Sequence, residues 1–221
     1  MRLTGLYSAR KGRIRGVEER LRELLGQAIQ WAIDIDPAEV RGTLLRLERA
    51  RPGLTGEELA QAVIEHARRR TAAVGVSTGL PGNLLLSSGV AMAEAAVVLR
   101  SQAMMVAQIG ECLRPGFLNR PEARFELLVP LMGAGPTADA LRRHGVACRP
   151  HELTHNAACR HLRDGRGRAL GDWLVRGYAR YLARKTGLTK LMPVIGGVLG
   201  GGWNYAETWA AGRRALEYFG A

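Results

Sequence analysis

STGLPGNLLLSSGVAMAEAAVVLRSQAMMVAQIGECL, residues 77–113, is the stretch on which the fold turns. No charged side chain occurs from Thr71 to Ala93, and Glu94 is the only one before Arg100. Gly79-Leu80-Pro81-Gly82 breaks the run, because Pro and two glycines punctuate a helix, and Asn83 to Cys112 then reads as one long helix. Leu80 to Leu99 is twenty residues, the length of a bilayer span. However, it holds Pro81, Asn83, Ser87, Ser88 and Glu94, and a charge at a membrane helix centre costs about 2.5–3.5 kcal/mol. A second segment, Lys190 to Tyr205, has no charged side chain after Lys190 and contains Pro193, Gly196, Gly197, Gly200, Gly201 and Gly202. Each glycine weakens an isolated helix by about 1 kcal/mol relative to Ala, so this density makes sense where backbones approach closely. Gly196 with Gly200, and Gly197 with Gly201, form overlapping small-xxx-small pairs. The first reading is a buried hairpin in which the Gly196–Gly202 face receives the Ala-rich helix at Val90–Val98. The second is a surface that inserts reversibly into a bilayer or holds an acyl chain. A true transmembrane span ranks last.

Working outward, the rest of the chain is helical punctuation. Residues 13–33 place Ile14, Val17, Leu21, Leu24, Leu25, Ala28, Ile29 and Ala32 on one helical face. Asp36-Pro37 reads as an N-cap with Pro at the first helical position, opening a helix to about Arg49. Arg51-Pro52-Gly53 ends it, and Thr55 with Glu58 forms a capping-box pattern for a third helix reaching Arg68-Arg69-Arg70 or a little beyond. Glu122 to Met132, Pro150 to Arg163, Ala169 to Lys185 and Ala206 to Phe219 are further expected helices. No strand and no fixed-period repeat is legible. The expected fold is all-α, a multi-helix bundle in which the two glycine-rich apolar segments pack together, with residues 1–60 as N-terminal amphipathic helices and 61–221 as the EcsC-like helical domain named below, the two forming one continuous fold.

The 221 residues are 47% apolar and only 5% aromatic, which suits helices packed through small residues. The net charge is +12, calling for a polyanionic partner unless an arginine-rich coding bias explains it. Basic residues flank both apolar segments: Arg68, Arg69, Arg70 and Arg100 around the first, and Arg184, Lys185 and Lys190 before the second. Cationic margins beside an apolar patch suit an anionic leaflet. Nucleic acid ranks lower, since no aromatic stacking platform lies near these charges in the sequence and no nucleic-acid motif is present. Three cysteines, Cys112, Cys148 and Cys159, lack a framework spacing and indicate a reducing compartment. Met1 to Gly16 has no apolar run of a secretion signal. The expected location is cytoplasmic, peripheral to the inner membrane face.

Three stretches in order resemble the EcsC family: residues 77–113 quoted above, RPEARFELLVPLMGAGP at 120–136, and KLMPVIGGVLGGGWNYAETWAAGRRALEYF at 190–219. The likeness runs through most of residues 60–219 and is weak between 140 and 170. It implies a helical, membrane-associated or peripheral bacterial protein, of a family some of whose members are encoded beside transport systems and whose biochemical activity is not established. Gly79, Pro81 and Gly82 match its glycine-rich entry; Pro193, Gly196, Gly200 and Asn204 match its closing motif, and no chemistry comes with them.

One pattern points to an enzyme instead. HELTHNAACRH, residues 151–161, holds His-Glu-x-x-His. On a helix His151 and His155 share a face and can chelate zinc, with Glu152 as general base on a bound water. His161 sits about 15 Å along an unbroken helix from His151, too far to share one ion, and Ala158 stands where a glycine would let the chain turn back. Cys148 and Cys159 are the other options for a third ligand. Zinc is therefore the one cofactor in question, and no Walker loop, dinucleotide fingerprint or nucleophile elbow is present. The expected function is a non-enzymatic, membrane-peripheral or hydrophobic-ligand-binding helical protein, with a zinc-dependent hydrolase as the alternative.

Overall fold

The computed structural model describes residues 23–78, 89–120, 122–133, 135–137, 143, 172–179 and 196–220, with only the backbone described at 77–78, 89–94 and 196–200. Among these residues there is no strand, and the all-α expectation holds. The helices are α1 (23–33), α2 (Pro37–Ala50), α3 (Gly56–Thr78), α4 (Gly89–Leu113), α5 (Ala123–Glu126), α6 (Leu128–Met132), α7 (172–179) and α8 (Gly196–Gly220), with a 3-10 turn at Phe117–Asn119.

The helix starts follow their caps. Asp36 accepts the Ala38 amide at 2.8 Å in front of Pro37, which opens α2. Thr55 and Glu58 close the capping box before α3: the Glu58 carboxylate accepts the Thr55 amide at 2.8 Å, and the Thr55 hydroxyl accepts the Glu58 amide at 3.3 Å. The Thr55 backbone bond and then its hydroxyl hold the Glu58 carboxyl below its ordinary range. Between α2 and α3 the chain turns at Gly53, whose φ of +89° side chains rarely adopt.

Three expected boundaries need correction. The third helix does not stop near Arg70 but continues to Thr78, because nothing from Thr71 to Thr78 interrupts it. The last helix does not begin at Ala206: it is already formed at Gly196, so the glycine-rich run is part of it. Glu122 to Met132 is two short helices, since Pro130 has no amide to give the Glu126 carbonyl and the ladder skips there.

α3, α4 and α8 form the centre. α3 runs antiparallel to α8, as the pairs Gly201 with Val76 and Gly212 with Ile64 show. α4 also opposes α3 and lies parallel to α8, with Gly110 against the Phe219 ring. At Gly201 the glycine face meets α3: a Cβ there would lie 2.7 Å from Val76 Cγ2 and 3.0 Å from the Ala72 carbonyl. One hydrophobic core runs from Leu25 and Ile29 through Val63, Met105 and Leu128 to Ala215 and Phe219. The boundary expected at residues 60–61 falls inside α3.

Arginines tie the helix ends to this core. Arg100 donates to the carbonyls of Trp31 (2.8 Å) and Asp34 (3.2 Å) at the end of α1. Arg114 does the same for Phe219 (2.9 Å) and Tyr218 (3.3 Å) at the end of α8, and Arg214 for Pro130 at 2.6 Å. Terminal helix carbonyls lack intrahelical donors and carry the negative end of the helix dipole, so a guanidinium is a natural partner.

Candidate functional site

At the middle of the bundle three buried polar side chains meet, one from each long helix. The hydroxyls of Thr71 and Thr208 are 2.9 Å apart. Gln102 donates its amide to the Thr208 hydroxyl at 3.0 Å, and Asn204 reaches the Thr71 carbonyl at 3.5 Å. Buried polar groups that are fully partnered specify one arrangement, and they are costly when one partner is lost. Thr208→Val keeps the shape but removes the acceptor for Gln102 and the partner of Thr71. It is expected to lower stability by about 1–3 kcal/mol, with Thr208→Ser retaining most of it; chemical denaturation of the two variants checks this.

Outside this node, α8 turns aromatic residues to solvent. Trp203 is 56% exposed and Trp209 49%, with Tyr205 at the edge of the same face. Tyr205 lies under the Arg68 guanidinium, 4.5 Å from ring centre to Cζ. The sequence reading found no aromatic near the basic run, and the fold overturns that: the antiparallel α3–α8 pairing carries Tyr205 to Arg68. Both Arg68 and Arg69 bind Glu65, the latter through Nε at 2.6 Å. Desolvation works to raise the Glu65 carboxyl, but the hydrogen bonds and charges of Arg69 and Arg68 outweigh it and hold the group below its usual range. Arg69 nonetheless remains 75% exposed, and Arg70 is exposed as well.

The expected anion-facing residues thus part company. Arg68, Arg69 and Arg70 lie on the last half of α3, and Arg68 reaches the Tyr205 ring of α8. Arg100 is engaged elsewhere, on the α1 carbonyls, the Trp31 ring at 4.8 Å and Glu39 at 3.7 Å. Lys185 and Lys190 lie outside the described residues. Of the expected packing motif, Gly201 and Asn204 sit on the α3–α8 seam, and Gly196, Gly197 and Gly200 belong to α8. Gly79, Pro81, Gly82 and Pro193 lie outside the described residues.

The zinc pattern cannot be placed either, as Cys148, His151, Glu152, His155, Cys159 and His161 all lie outside the described residues. Among the described residues no three of His, Cys, Asp and Glu group as metal ligands. Burial, with Glu48 and Glu111 adding to it, pushes the Cys112 thiol up to about 12, so it stays protonated at neutral pH and is a poor nucleophile.

No family model matches the chain, nor does any curated protein or any solved structure. Among the described residues no helix is long and apolar enough to cross a membrane. Sequence reasoning missed Thr71, Gln102 and Thr208, as well as the outward tryptophans. The polar trio had no local signal, because its members are up to 137 residues apart. The spacing concealed Trp203: it stands three residues after Gly200 and seven after Gly196, on the face those glycines mark for packing.

Proposed function

We propose that the chain binds reversibly to an anionic membrane surface and acts there without chemistry of its own. The observation that carries this reading is the outward side of α8, where Trp203 and Trp209 stand exposed and Tyr205, at its edge, meets Arg68 of α3. Trp and Tyr favour the headgroup level of a bilayer because their rings are amphipathic. Basic residues near an anionic surface add about 1 kcal/mol each. The net charge of +12 and the sequence resemblance to the EcsC family support the same reading.

Vesicle flotation tests it. The chain is expected to float with phosphatidylglycerol-containing vesicles and to remain behind with pure phosphatidylcholine at low salt. The difference should shrink as salt shortens the Debye length from about 10 Å at 0.1 M to about 3 Å at 1 M. Replacing Trp203 and Trp209 together by Ser should weaken binding by about tenfold or more, given about 1.5–3 kcal/mol for fully burying one large apolar side chain. Equal behaviour with anionic and neutral vesicles would sink the reading, and salt-sensitive binding to duplex DNA in its place would transfer the basic surface to nucleic acid.

A further inference from the structure

A cavity of about 390 Å³ lies between α1, α5 and α7. Among the described residues, its lining includes Gln30, Trp31 and Asp34 of α1, Arg124 and Phe125 of α5, and Asp172 of α7. The helices that form its walls are rooted in the core through buried Ile29 and Ile33, Phe125, and Leu174 and Tyr178. Arg100 fixes the α1 wall further by bonding the carbonyls of Trp31 and Asp34. Polar groups carried on packed helices are held in place before a ligand arrives, so little ordering is left to be done on binding.

The charges on these walls are not used by the fold. Among the described residues, neither the Asp34 nor the Asp172 carboxylate forms an ion pair or accepts a hydrogen bond. The Arg124 guanidinium lies over the Phe125 ring, 4.6 Å from its centre. Such a contact takes up the face of the guanidinium and leaves its N–H edge for an acceptor in the plane. Arg100, over the Trp31 ring at 4.8 Å, has its charge offset by Glu39 at 3.7 Å. The described lining therefore holds two carboxylates and one guanidinium, the reverse of the balance of a chain with net charge +12. A complementary ligand carries two cationic groups and one carboxylate.

We infer that this cavity binds a basic α-amino acid. Its two cationic groups pair with Asp34 and Asp172, its carboxylate meets the Arg124 edge, and its aliphatic stem lies by Trp31. The volume is at the small end of the range for ligand pockets, as a molecule of this size requires. The inference stands apart from membrane binding, which uses α3 and α8.

Titrating the isotope-labelled full-length chain with free lysine tests it. The chain has four tryptophans, so it gives four indole N–H signals, and the one missing from Trp31→Phe belongs to Trp31. Lysine is expected to shift the Trp31 signal saturably while those of Trp203 and Trp209 on α8 stay in place. Cadaverine, which lacks the carboxylate, and ε-aminocaproate, which lacks the α-ammonium, should each bind about two- to fivefold more weakly, the loss of one exposed charge pair. Asp34→Asn and Asp172→Asn should weaken lysine binding by about the same factor, and Arg124→Gln should abolish the preference for lysine over cadaverine. All three side chains are exposed, and unchanged Trp203 and Trp209 signals report that each variant keeps its fold. A Trp31 signal that stays still, that moves as much with glutamate, cadaverine or sodium chloride, or that answers lysine alike in all three variants overturns the assignment.

Discussion

Arg120→Ala is expected to destabilise the fold by about 3 kcal/mol or more, because it takes the guanidinium away from a fully buried carboxylate. Glu126 is 0% exposed, and its two oxygens face the Arg120 guanidinium at 2.9 and 3.1 Å. Arg120 in turn stacks on the Phe117 ring, 5.0 Å from its centre, so its loss removes packing as well as charge. For a chain of this size, about 3 kcal/mol corresponds to a melting temperature lower by about 6–12 °C. Replacing both partners by Leu should recover most of the deficit, since a buried ion pair is worth little more than a well-packed apolar pair. Thermal and urea unfolding of the single and double variants measure this. A single-variant loss under about 1 kcal/mol would show that the pair is solvated and the argument wrong.

The second large effect is expected at Gly212. Helix propensity alone makes Gly→Ala favourable by about 1 kcal/mol. Here a Cβ would lie 2.6 Å from Ile64 Cγ1 and 2.9 Å from both Cγ2 and Cδ1, and the two γ carbons sit on the Cβ of a stiff β-branched side chain. Overpacking costs typically about 1–3 kcal/mol, so Gly212→Ala should come out destabilising by about 1–2 kcal/mol once the propensity gain is deducted. Ile64→Ala removes the obstructing atoms, and the double variant should be more stable than the sum of the two single losses implies. Such coupling between neighbours is the signature of direct contact. Strictly additive losses would mean that α3 and α8 do not meet at this point.

What the sequence made legible was whatever physics acts locally. Asp36-Pro37 and the Thr55–Glu58 box fix helix starts through bonds spanning two or three residues, and both stand as expected. The close-packing role of the small residues was also legible, as Gly201 shows. What was not legible was which helix fills the space: Gly201 meets Ala72 and Val76 of α3, a choice set by tertiary register and not by anything near residue 201. The start of α8 was misplaced for a related reason. Glycine propensity argues against a helix through 196–202, but packing against α3 outweighs it. At the surface, the expected basic face proved partly structural: Arg100 spends its charge on carbonyls of α1, which nothing in the local sequence of α4 announces.

The parallel course of α4 and α8 also bears on how the chain is made. Parallel neighbours cannot be joined by a tight turn, and α8 follows every other described helix in the chain. As the chain emerges from the ribosome, α3 and α4 are complete while the helix that packs on Ile64, Thr71 and Gln102 is still unsynthesised. At about 5–20 residues per second, the interval is on the order of ten seconds. Throughout it, an apolar cleft with hydroxyl and amide groups at its centre faces the solution around the ribosome. The nascent chain is thus expected to be a client of holding chaperones until its last helix arrives, and truncations that remove α8 to leave aggregating products.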